Sequence, residues 1–438
     1  MTEEKTIRID PVTRLEGHGA LTIKLGKDNK VKDIQYNIGS TRFFEQFLTG
    51  RAMEEAPRIA PRICGICPIP HHLASVKAVE DAWDVTPPKA AIKLRRLLIE
   101  AKQLSSHAIH FYALAAPDFV FGPFADPAVR NVAAVLKHLP DVVVQAIKLM
   151  EFGQELCREI GAKAIHPVTA IPGGMLHHLT EEDRDKWLKQ VPEMLENINK
   201  TVELGKTVVN AYLDVITKVA VTPTYYIGLT NNGVLDIYDG NVRVMDPDGK
   251  IVADFEPKDY TKYYGEYISD HSYATHIYYK PAGYPDGIWR ANTLARCNVA
   301  DKMATPLAQA ALKEMRELVG RPSHHTFVYH YARIIEMVQA AEWIKKLLED
   351  PDIVSTDVKL SDVEPKAGEG VGIVEAPRGT LLHNYTSDDE GMLVHANLIV
   401  ATNNNIAGIE KSLMTAAKQI FEDKALETLK LPDPLVKT

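Results

Sequence analysis

The 438-residue sequence predicts a mainly α protein, one large helical bundle domain with small antiparallel β excursions. Apolar residues recur three and four positions apart through most of the chain, which is the spacing of helices that bury one face. Alternating, β-branched stretches are confined to three shorter regions, and no repeat or low-complexity tract separates them. Apolar residues make up 45% of the chain and charged residues 25%, as in ordinary globular proteins. We therefore expect a single domain over residues 1–438.

The strand patterns begin near the N-terminus. Residues 5–38 alternate on either side of a polar turn at 27–30, so residues 1–40 are predicted to form a β hairpin region. A second region, 221–280, combines ten tyrosines with β-branched residues and a Pro-Asp-Gly turn, and it predicts a β-rich insertion. The third region, 369–385, predicts short strands.

Helical spacing covers the remaining long segments. Within the longest of them, Pro192 stands where it would suit the first turn of a helix, because the nitrogen of that position has no partner inside the helix. The predicted helical segments are 90–116, 140–160, 181–219, 298–320, 323–349 and 403–424.

The charge balance and the absence of long apolar runs exclude some classes of partner. Lys and Arg number 50 and Asp and Glu number 58, which gives a net charge of −8. A mildly acidic chain is a poor candidate for sequence-independent nucleic-acid binding, which needs a surplus of basic residues. No uncharged apolar run approaches the ~18 residues that would span a bilayer, and the N-terminus has no apolar signal region. We expect a cytoplasmic protein.

Two of the four cysteines form a Cys-x-x-Cys pair, Cys64 and Cys67. Pro68 and Pro70 indicate that a helix begins immediately after the pair, so the positive end of that helix would favour thiolates, which soft metals require. Half of a structural zinc site, a thioredoxin-like redox pair and two inert core cysteines are alternatives that the pair alone leaves open. The other two cysteines, Cys157 and Cys297, are predicted to pack in the core.

Three charged segments stand beside glycines or prolines without an evident structural reason. They are 10–19, which contains Glu16, 106–118, which ends in Asp118, and 375–379, which contains Arg378. Taken singly, each pattern is typical of a solvated turn or a helix cap.

Taken together, these segments resemble the large, active-site subunit of nickel–iron hydrogenases. The matching pieces are Asp-Pro-Val-Thr-Arg-Leu-Glu-Gly-His at 10–18, Arg-Ile-Cys-Gly-Ile-Cys-Pro-Ile-Pro-His at 62–71, the His-Phe-Tyr segment that ends in Asp118, and Glu-Ala-Pro-Arg-Gly at 375–379. Their order and wide spacing cover nearly the whole chain. Cys-Pro-Ile-Pro-His and Ala-Thr-Asn-Asn-Asn at 401–405 are most similar to the large subunit of the viologen-reducing type among the cytoplasmic hydrogenases of methanogens.

The resemblance implies roles at the metal centre. Cys64 would be a terminal nickel thiolate, and Cys67 would bridge nickel to an iron that carries CO and cyanide. Arg378 would hold its guanidinium over the metals, with Asp118 and Pro377 lining the same canopy. Such a site suits heterolytic cleavage of dihydrogen, which needs a soft metal pair and a nearby base.

Two further residues take roles by the same resemblance. Glu16 would be the first proton acceptor on the terminal-thiolate side. Glu45 would hold a magnesium or similar divalent ion; this match is the loosest, because Phe43 stands where the family usually has glycine.

The sequence departs from the family at its C-terminal end. The family carries a second Cys-x-x-Cys and a terminal histidine, whereas this sequence ends at 431–438 without them. Three accounts are open: a separate short polypeptide with a Cys-x-x-Cys or selenocysteine-x-x-Cys motif supplies the ligands; the chain is truncated; or the protein is a metal-free, hydrogenase-derived structural subunit of a redox complex. The intact first cysteine pair disfavours the last account. On the first account, an empty groove is expected between the helix after Cys64 and the C-terminus.

The resemblance also implies partners. The sequence has too few cysteines to hold an iron–sulfur cluster beside the metal centre, so an iron–sulfur small subunit is expected to carry electrons away. An electron-transfer subunit and heterodisulfide reductase are the further partners implied for the methanogen type.

Overall fold

The computed structural model describes residues 4–40, 43–423, 429 and 431. Helices dominate the described part of the chain, which also contains two three-stranded sheets, one five-stranded sheet and two two-stranded sheets. The α-helices are Phe44–Leu48, Ala56–Ile59, Pro68–Ala82, Lys89–Ala108, Ala116–Phe121, Val132–His138, Pro140–Gly161, Glu181–Leu188, Val191–Ala211, Leu213–Lys218, Tyr260–Tyr263, Thr293–Val299, Pro306–Val319, Tyr329–Glu349 and Asn403–Phe421, and a π-helix covers Ile109–Ala115.

The strands form five sheets within the described residues. Most pairings are antiparallel, and Trp289–Arg290 pairs with Tyr225–Asn231 in parallel. The strands are Lys5–Ile9, Ala20–Leu25 and Val31–Asn37; Ala170–Ile171 and Gly174–Met175; Tyr225–Asn231, Val234–Leu235, Asn241–Met245, Ile251–Phe255 and Trp289–Arg290; Tyr264–Tyr267 and His276–Tyr279; and Gly368–Ala376, Gly379–Ser387 and Leu393–Ile399.

A helical bundle forms the main core. The helix Lys89–Ala108 lies at its centre and packs against Pro140–Gly161 and Tyr329–Glu349, the second of which also contacts Val191–Ala211. Sixteen residues of the central helix are buried, because neighbours enclose it on more than one face. Full burial of each leucine there contributes about 1.5–3 kcal/mol of hydrophobic stabilisation.

Two segments that the spacing predicted as single helices are divided in the structure. The predicted helix 298–320 is two helices, Thr293–Val299 and Pro306–Val319. Thr305 precedes the proline and is extended, with φ −132° and ψ 151°, because the proline ring disfavours helical backbone at the preceding residue. The predicted helix 90–116 changes at Ile109 into the π-helix, and a new helix with Pro117 in its first turn follows.

The predicted short strands at 369–385 are two strands of nine residues each. They form an antiparallel hairpin in which Ala376 pairs with Gly379, so Pro377 and Arg378 occupy the turn between them. We call Gly368–Ala376 the glycine strand and Pro68–Ala82 the cysteine helix.

The glycine strand lies directly on the cysteine helix. A Cβ atom placed on Gly368, Gly370 or Gly372 would stand 2.0, 2.2 and 1.9 Å from backbone atoms of that helix. The backbone it would meet belongs to the alanines at four-residue spacing, Ala74, Ala78 and Ala82. Glycines two apart on a strand share one face, as alanines four apart on a helix do, so two rows of small residues allow the backbones to touch.

This contact also fixes direction. Gly368 faces Ala82, and Gly372 faces Ala74, so the strand runs antiparallel to the helix. Two strand residues advance about 6.7 Å and four helix residues about 6 Å, so the two rows stay in step. The strand continues for four more residues to Ala376, in the direction of the end of the helix that follows Cys67.

The described residues include no helix long and apolar enough to cross a membrane. The last helix was predicted over 403–424 and ends at Phe421. The predicted groove beside 431–438 concerns residues that, apart from Leu431, lie outside those described. The division of the chain into one domain with subregions 1–40 and 221–280 stays a prediction.

We predict that Gly372→Ala lowers the free energy of unfolding by about 2–3 kcal/mol or more, because its methyl group would overlap helix backbone that has no side-chain freedom to yield. Gly39→Ala is the matched control, since its Cβ would meet only the Asn37 side chain at 3.6 Å. Urea unfolding followed by circular dichroism measures both. Equal stability of the two variants would contradict the tight strand–helix contact.

Candidate metal centre

Cys64 and Cys67 lie at the start of the cysteine helix, as predicted. Cys67 is the N-cap residue, and its backbone N–H donates to Sγ of Cys64 at 3.1 Å. The two sulfurs are joined as a disulfide, and both residues are half-buried. Reduction would release two thiolates at the positive end of a fifteen-residue helix, which stabilises thiolate over thiol.

The donor set fits a soft metal but is incomplete. Two sulfurs from one short turn match the preference of nickel and iron for thiolate. Among the described residues, no third Cys, His, Asp or Glu joins these two sulfurs in a group of potential ligands. The other two cysteines are free and buried, as predicted, and burial raises the pKa of the Cys157 thiol to about 12.

Arg378 lies in the turn that follows the glycine strand. Its guanidinium donates to Oγ of Ser106, while its Nη2 atom is buried and has no hydrogen-bond partner. Burial lowers the pKa of Arg378 to about 10, and the nearby Glu16 carboxylate opposes that shift. An unpaired buried N–H costs about 1–3 kcal/mol, so the site is suited to an anionic or polar group that the protein does not itself supply.

Arg296 holds this turn in place, although no sequence motif pointed to it. Its guanidinium donates to the backbone carbonyls of Ala376 at 3.0 Å and Pro377 at 3.4 Å. It also pairs with the carboxylates of Glu375 and Glu336 at 2.7 and 2.6 Å. Arg296 is fully buried, in the short helix Thr293–Val299, and it lies before the predicted helix 298–320, so the amino-acid sequence offered no signal for it.

Arg296 acts to lower the pKa of both carboxylic acids, Glu336 and Glu375, against the effect of burial. Burial alone would raise the pKa of Glu336, but Arg296 and then His107 outweigh it and lower that pKa to about 2. Burial raises the pKa of Glu375, although Arg296 and the Thr380 hydroxyl act in the opposite direction. The ion pairs of Arg296 with Glu336 and Glu375 therefore anchor the carboxyl end of the glycine strand.

Asp118 lies on the helix that follows the π-helix. Its Oδ1 accepts from Arg14 Nη2 at 2.7 Å and lies 3.3 Å from Nη1 of Arg130. Arg14 also donates to the Leu114 carbonyl, inside the π-helix, at 2.8 Å. A cavity of about 380 Å³ opens beside these groups and is lined by Arg14, His110, Leu114, Ala115, Asp118, Phe119, Pro123, Arg130, Tyr212, Val215, Ile216, Phe327, His330 and Leu431.

Glu16 and Arg378 are brought together, although 362 positions separate them in the sequence (378 − 16). The Glu16 carboxylate acts on the Arg378 guanidinium electrostatically, and Glu16 itself is exposed. Arg14 joins the same N-terminal segment to Asp118. The segment around Glu16 thus borders both the Arg378 turn and the Asp118 cavity.

Glu45 lies in the short helix Phe44–Leu48, at a different place from the cysteines. Its Oε1 accepts from the backbone N–H of Leu398 at 2.8 Å. Burial raises the pKa of Glu266, and the proximity of Glu45 raises it further. Two neighbouring carboxylates suit a hard divalent ion such as Mg²⁺. Phe43, which precedes the helix, has φ +50°, the backbone region that glycine adopts most readily.

A chain of buried polar side chains follows the cysteine helix, and sequence reasoning did not find it. His71 Nδ1 lies 3.1 Å from His383 Nε2, and His383 Nδ1 lies 2.8 Å from the Tyr385 hydroxyl. That hydroxyl lies 2.9 Å from Oγ of Ser75. Burial lowers the pKa of His71 to about 3, so both rings are neutral at pH 7. No local pattern links residues that lie 312 positions apart.

We predict that Arg296→Met lowers the free energy of unfolding by about 3–5 kcal/mol, because Glu336 and Glu375 would be left buried without a counter-charge. Arg158→Met is the control, since the Arg158–Glu155 pair is exposed and contributes about 1 kcal/mol or less. Chemical unfolding at pH 7.5 gives both values. A loss of stability no larger than that of the control would exclude Arg296 as the anchor of the turn.

Comparisons with known proteins agree with this arrangement. Residues 42–139 match the family described as nickel-dependent hydrogenase, and residues 6–40 match one described as HoxL-like. The chain is 51% identical over 416 residues to one subunit of the F420-non-reducing hydrogenase vhu of Methanocaldococcus jannaschii, a match that covers 95% of this chain and 99% of that relative. It is 42% identical over 420 residues to the corresponding subunit of the F420-non-reducing hydrogenase vhc of Methanococcus voltae, over 95% of this chain and 88% of that relative.

A solved structure has the same fold. The NAD+-reducing NiFe-hydrogenase in its H2-reduced state superposes with a TM-score of 0.90, at 36% identity, over 98% of this chain and 95% of that chain. Identity of 51% across nearly the whole chain goes far beyond the cysteine segment and includes the bundle that supports it. The chain therefore belongs to the nickel-dependent hydrogenases, oxidoreductases that act on H2, and within them it is similar to the F420-non-reducing type.

Proposed function

We propose that this chain is the catalytic subunit of a cytoplasmic nickel–iron hydrogenase that oxidises dihydrogen heterolytically and passes the electrons to an iron–sulfur subunit. The observation that carries the proposal is the pair of adjacent cysteine sulfurs at the start of the cysteine helix, toward which the glycine strand runs before it ends at the Arg378 turn. A metal-free structural subunit would have no need for paired sulfurs at that point. Similarity to F420-non-reducing hydrogenases favours a route toward heterodisulfide reduction in a methanogen.

The residues present fit the metal centre. Cys64 would hold nickel as a thiolate, and Cys67 would hold nickel and iron. When bound, the centre, with CO and cyanide on iron, would supply the soft, redox-active metals that heterolytic cleavage of H2 needs. Pro377 keeps the turn over this end of the helix rigid, since its ring fixes one backbone angle.

Arg378 would stabilise negative charge, and Glu16 would accept a proton. The Arg378 guanidinium has one unpaired buried nitrogen, so it can hold negative charge that develops in the site, and a fixed cation in a dry pocket does so without reorganisation. Glu16 is a carboxylate beside that guanidinium and exposed on its other side. It can accept a proton from the cysteine side and release it to solvent. Asp118, held by Arg14 and Arg130, would line the same canopy.

Glu45 would hold the magnesium or similar divalent ion. Its second carboxylate oxygen is free of the Leu398 hydrogen bond, and Glu266 lies close enough to raise the local negative charge. A hard cation at this point would relieve the repulsion between the two carboxylates.

The remaining thiolates come from a partner in this proposal. The described residues bring two cysteines to the site, whereas the family's centre has four. The cavity beside Asp118 offers about 380 Å³ for part of a short polypeptide with a Cys-x-x-Cys or selenocysteine-x-x-Cys motif. The vhu relative is covered over 99% of its length and the vhc relative over 88%, so the two types differ outside the shared region. An electron-transfer subunit and heterodisulfide reductase are the further partners.

We predict that Cys64→Ser or Cys67→Ser abolishes hydrogen uptake and removes nickel from the purified complex, because a hydroxyl is a poor ligand for soft metals. Cys157→Ala is the control, since that cysteine is buried elsewhere and remains a thiol. Viologen reduction under H2 and metal analysis by mass spectrometry give the two readouts. Full activity with normal nickel in either serine variant would defeat the assignment, and absence of nickel from the purified wild-type complex would favour the structural subunit.

We predict that Glu16→Gln cuts turnover by about 10²-fold or more while leaving nickel content and the melting temperature unchanged, because it removes a proton acceptor that is exposed. Glu182→Gln, on an exposed helix, should leave turnover unaltered. Steady-state uptake assays and thermal unfolding separate the two effects. Normal turnover of the Glu16 variant, or its failure to fold, would count against the role.

We predict that the active complex contains a separate short polypeptide carrying the missing Cys or selenocysteine ligands. Native mass spectrometry of the complex, followed by denaturation, should release it together with an iron–sulfur subunit. If every hydrogenase-active preparation contains only a longer, uninterrupted form of this chain, completion by a partner is wrong.

A further inference from the structure

A second group of potential metal ligands lies outside the cysteine site. His271 stands in the loop 268–275, which joins the strands Tyr264–Tyr267 and His276–Tyr279. His276 is the first residue of the second strand, and Glu410 lies on the helix Asn403–Phe421. Three separate elements of the fold therefore contribute one side chain each.

The three side chains converge closely. One ligand atom from each of them lies within 4.8 Å of the others. His271 Nε2 is 2.6 Å from Glu410 Oε1, and His276 Nδ1 is 3.9 Å from Glu410 Oε2. The group is sheltered, since the exposed fractions of the side chains are 21% for His271, 1% for His276 and 14% for Glu410.

The surroundings of His276 leave its ring poorly satisfied. Its Nε2 is buried without a hydrogen-bond partner, and its Nδ1 has the Tyr284 hydroxyl at 3.4 Å, a weak contact. Glu410 also accepts the backbone N–H of Tyr36 at 2.8 Å, which fixes its carboxylate. Within the described part of the chain, the ion pairs of Glu410 are with the two histidines, so no Lys or Arg neutralises it there.

The loop itself buries little apolar surface. Ile268 is 79% exposed and Tyr273 is 73% exposed. Backbone and hydroxyl contacts attach the loop to the end of the N-terminal sheet: Tyr273 N–H donates to the Ile38 carbonyl at 3.1 Å, and Ile38 N–H donates to Oγ of Ser272 at 3.2 Å. A loop with so small a hydrophobic contribution gains stability when a ligand joins it to the core.

We propose that His271, His276 and Glu410 bind a divalent cation of the borderline class, for which Zn²⁺ is the probe, at a structural site separate from the nickel–iron centre. Two imidazole nitrogens and one carboxylate oxygen form a three-ligand set of the kind that binds Zn²⁺. Ligand atoms around tetrahedral zinc lie roughly 3.4 Å apart. The observed separations are 2.6 Å from His271 to Oε1 of Glu410 and 3.9 Å from His276 to its Oε2, on either side of that value, so the carboxylate can bind through one oxygen after shifts of about 1 Å.

The ion would stand where a proton now links His271 to Glu410. It would connect the loop 268–275, the strand His276–Tyr279 and the last helix at one point. The helix also packs against the strand Val31–Asn37, so the cross-link would tie the hairpin to the N-terminal sheet as well. A water molecule, with the Tyr284 hydroxyl as its neighbour, can complete the coordination.

Zinc titration of the purified hydrogenase complex tests this proposal. After dialysis against a chelator, one equivalent of Zn²⁺ is added, and bound zinc is counted by mass spectrometry after gel filtration. We expect the wild type to retain one more zinc per chain than Glu410→Gln or His271→Gln. The glutamine at 410 keeps an acceptor for the Tyr36 N–H, so the helix and strand stay joined. His395→Gln, which replaces an exposed histidine on another strand, should bind as the wild type does.

A second measurement follows the loop directly. Zn²⁺ should slow amide hydrogen exchange in 268–275 at least tenfold in the wild type and in His395→Gln, with no change in the two cluster variants. Circular dichroism without zinc verifies that all four proteins are folded. Equal zinc content in wild type and Glu410→Gln would overturn the proposal and leave His271 and Glu410 as an ion pair only. So would a rate of amide hydrogen exchange in 268–275 that zinc does not change. Nickel content and hydrogen uptake are recorded in parallel, so failure here is distinct from failure of the hydrogenase assignment.

Discussion

Direct contact between the backbones of one strand and one helix is the constraint on which the rest of the structure depends. The glycine strand meets the cysteine helix through alternate glycines against alanines four residues apart, and any larger side chain would separate them. Because strand and helix advance at nearly equal rates there, the contact keeps its register along its length. The strand runs toward the end of the helix where the cysteines lie, and it ends at the Arg378 turn. Elements that are remote in sequence are thereby positioned without a flexible side chain between them.

A buried charged side chain, Arg296, then fixes the turn that follows the glycine strand. Arg296 reaches the carbonyls of the turn and both neighbouring carboxylates, so the turn cannot move without breaking several hydrogen bonds in a low-dielectric interior. Such a network contributes little net stability compared with apolar packing, because desolvation offsets most of the attraction. Its effect here is on geometry. The Arg378 guanidinium keeps one nitrogen unpaired and aimed away from its own protein partner, Ser106.

The two sides of the site differ in how complete they are. The side formed by the cysteine helix and the Arg378 turn is built from tightly packed, buried elements. The side that faces Asp118 is open, with a cavity bordered by arginines and histidines and by the π-helix, whose Leu114 carbonyl is held by Arg14. π-helical segments often mark functional positions. The proposed completion of the ligand set by a partner requires such an asymmetry, with one rigid half and one accessible half.

Features that depend on neighbouring residues could be predicted from the amino-acid sequence. Pro68 after Cys67 indicates where the helix begins, the hydrophobic spacing indicates the bundle, and four short motifs indicate the family. The same spacing also predicted a helix across 298–320 that Pro306 divides, an error that the backbone preference before proline explains. Which distant residues meet was settled by tertiary packing alone. Arg296 with Glu375, His71 with His383, and His271 with Glu410 are pairs that no local pattern encodes, because each depends on how whole elements pack and not on the residues beside them.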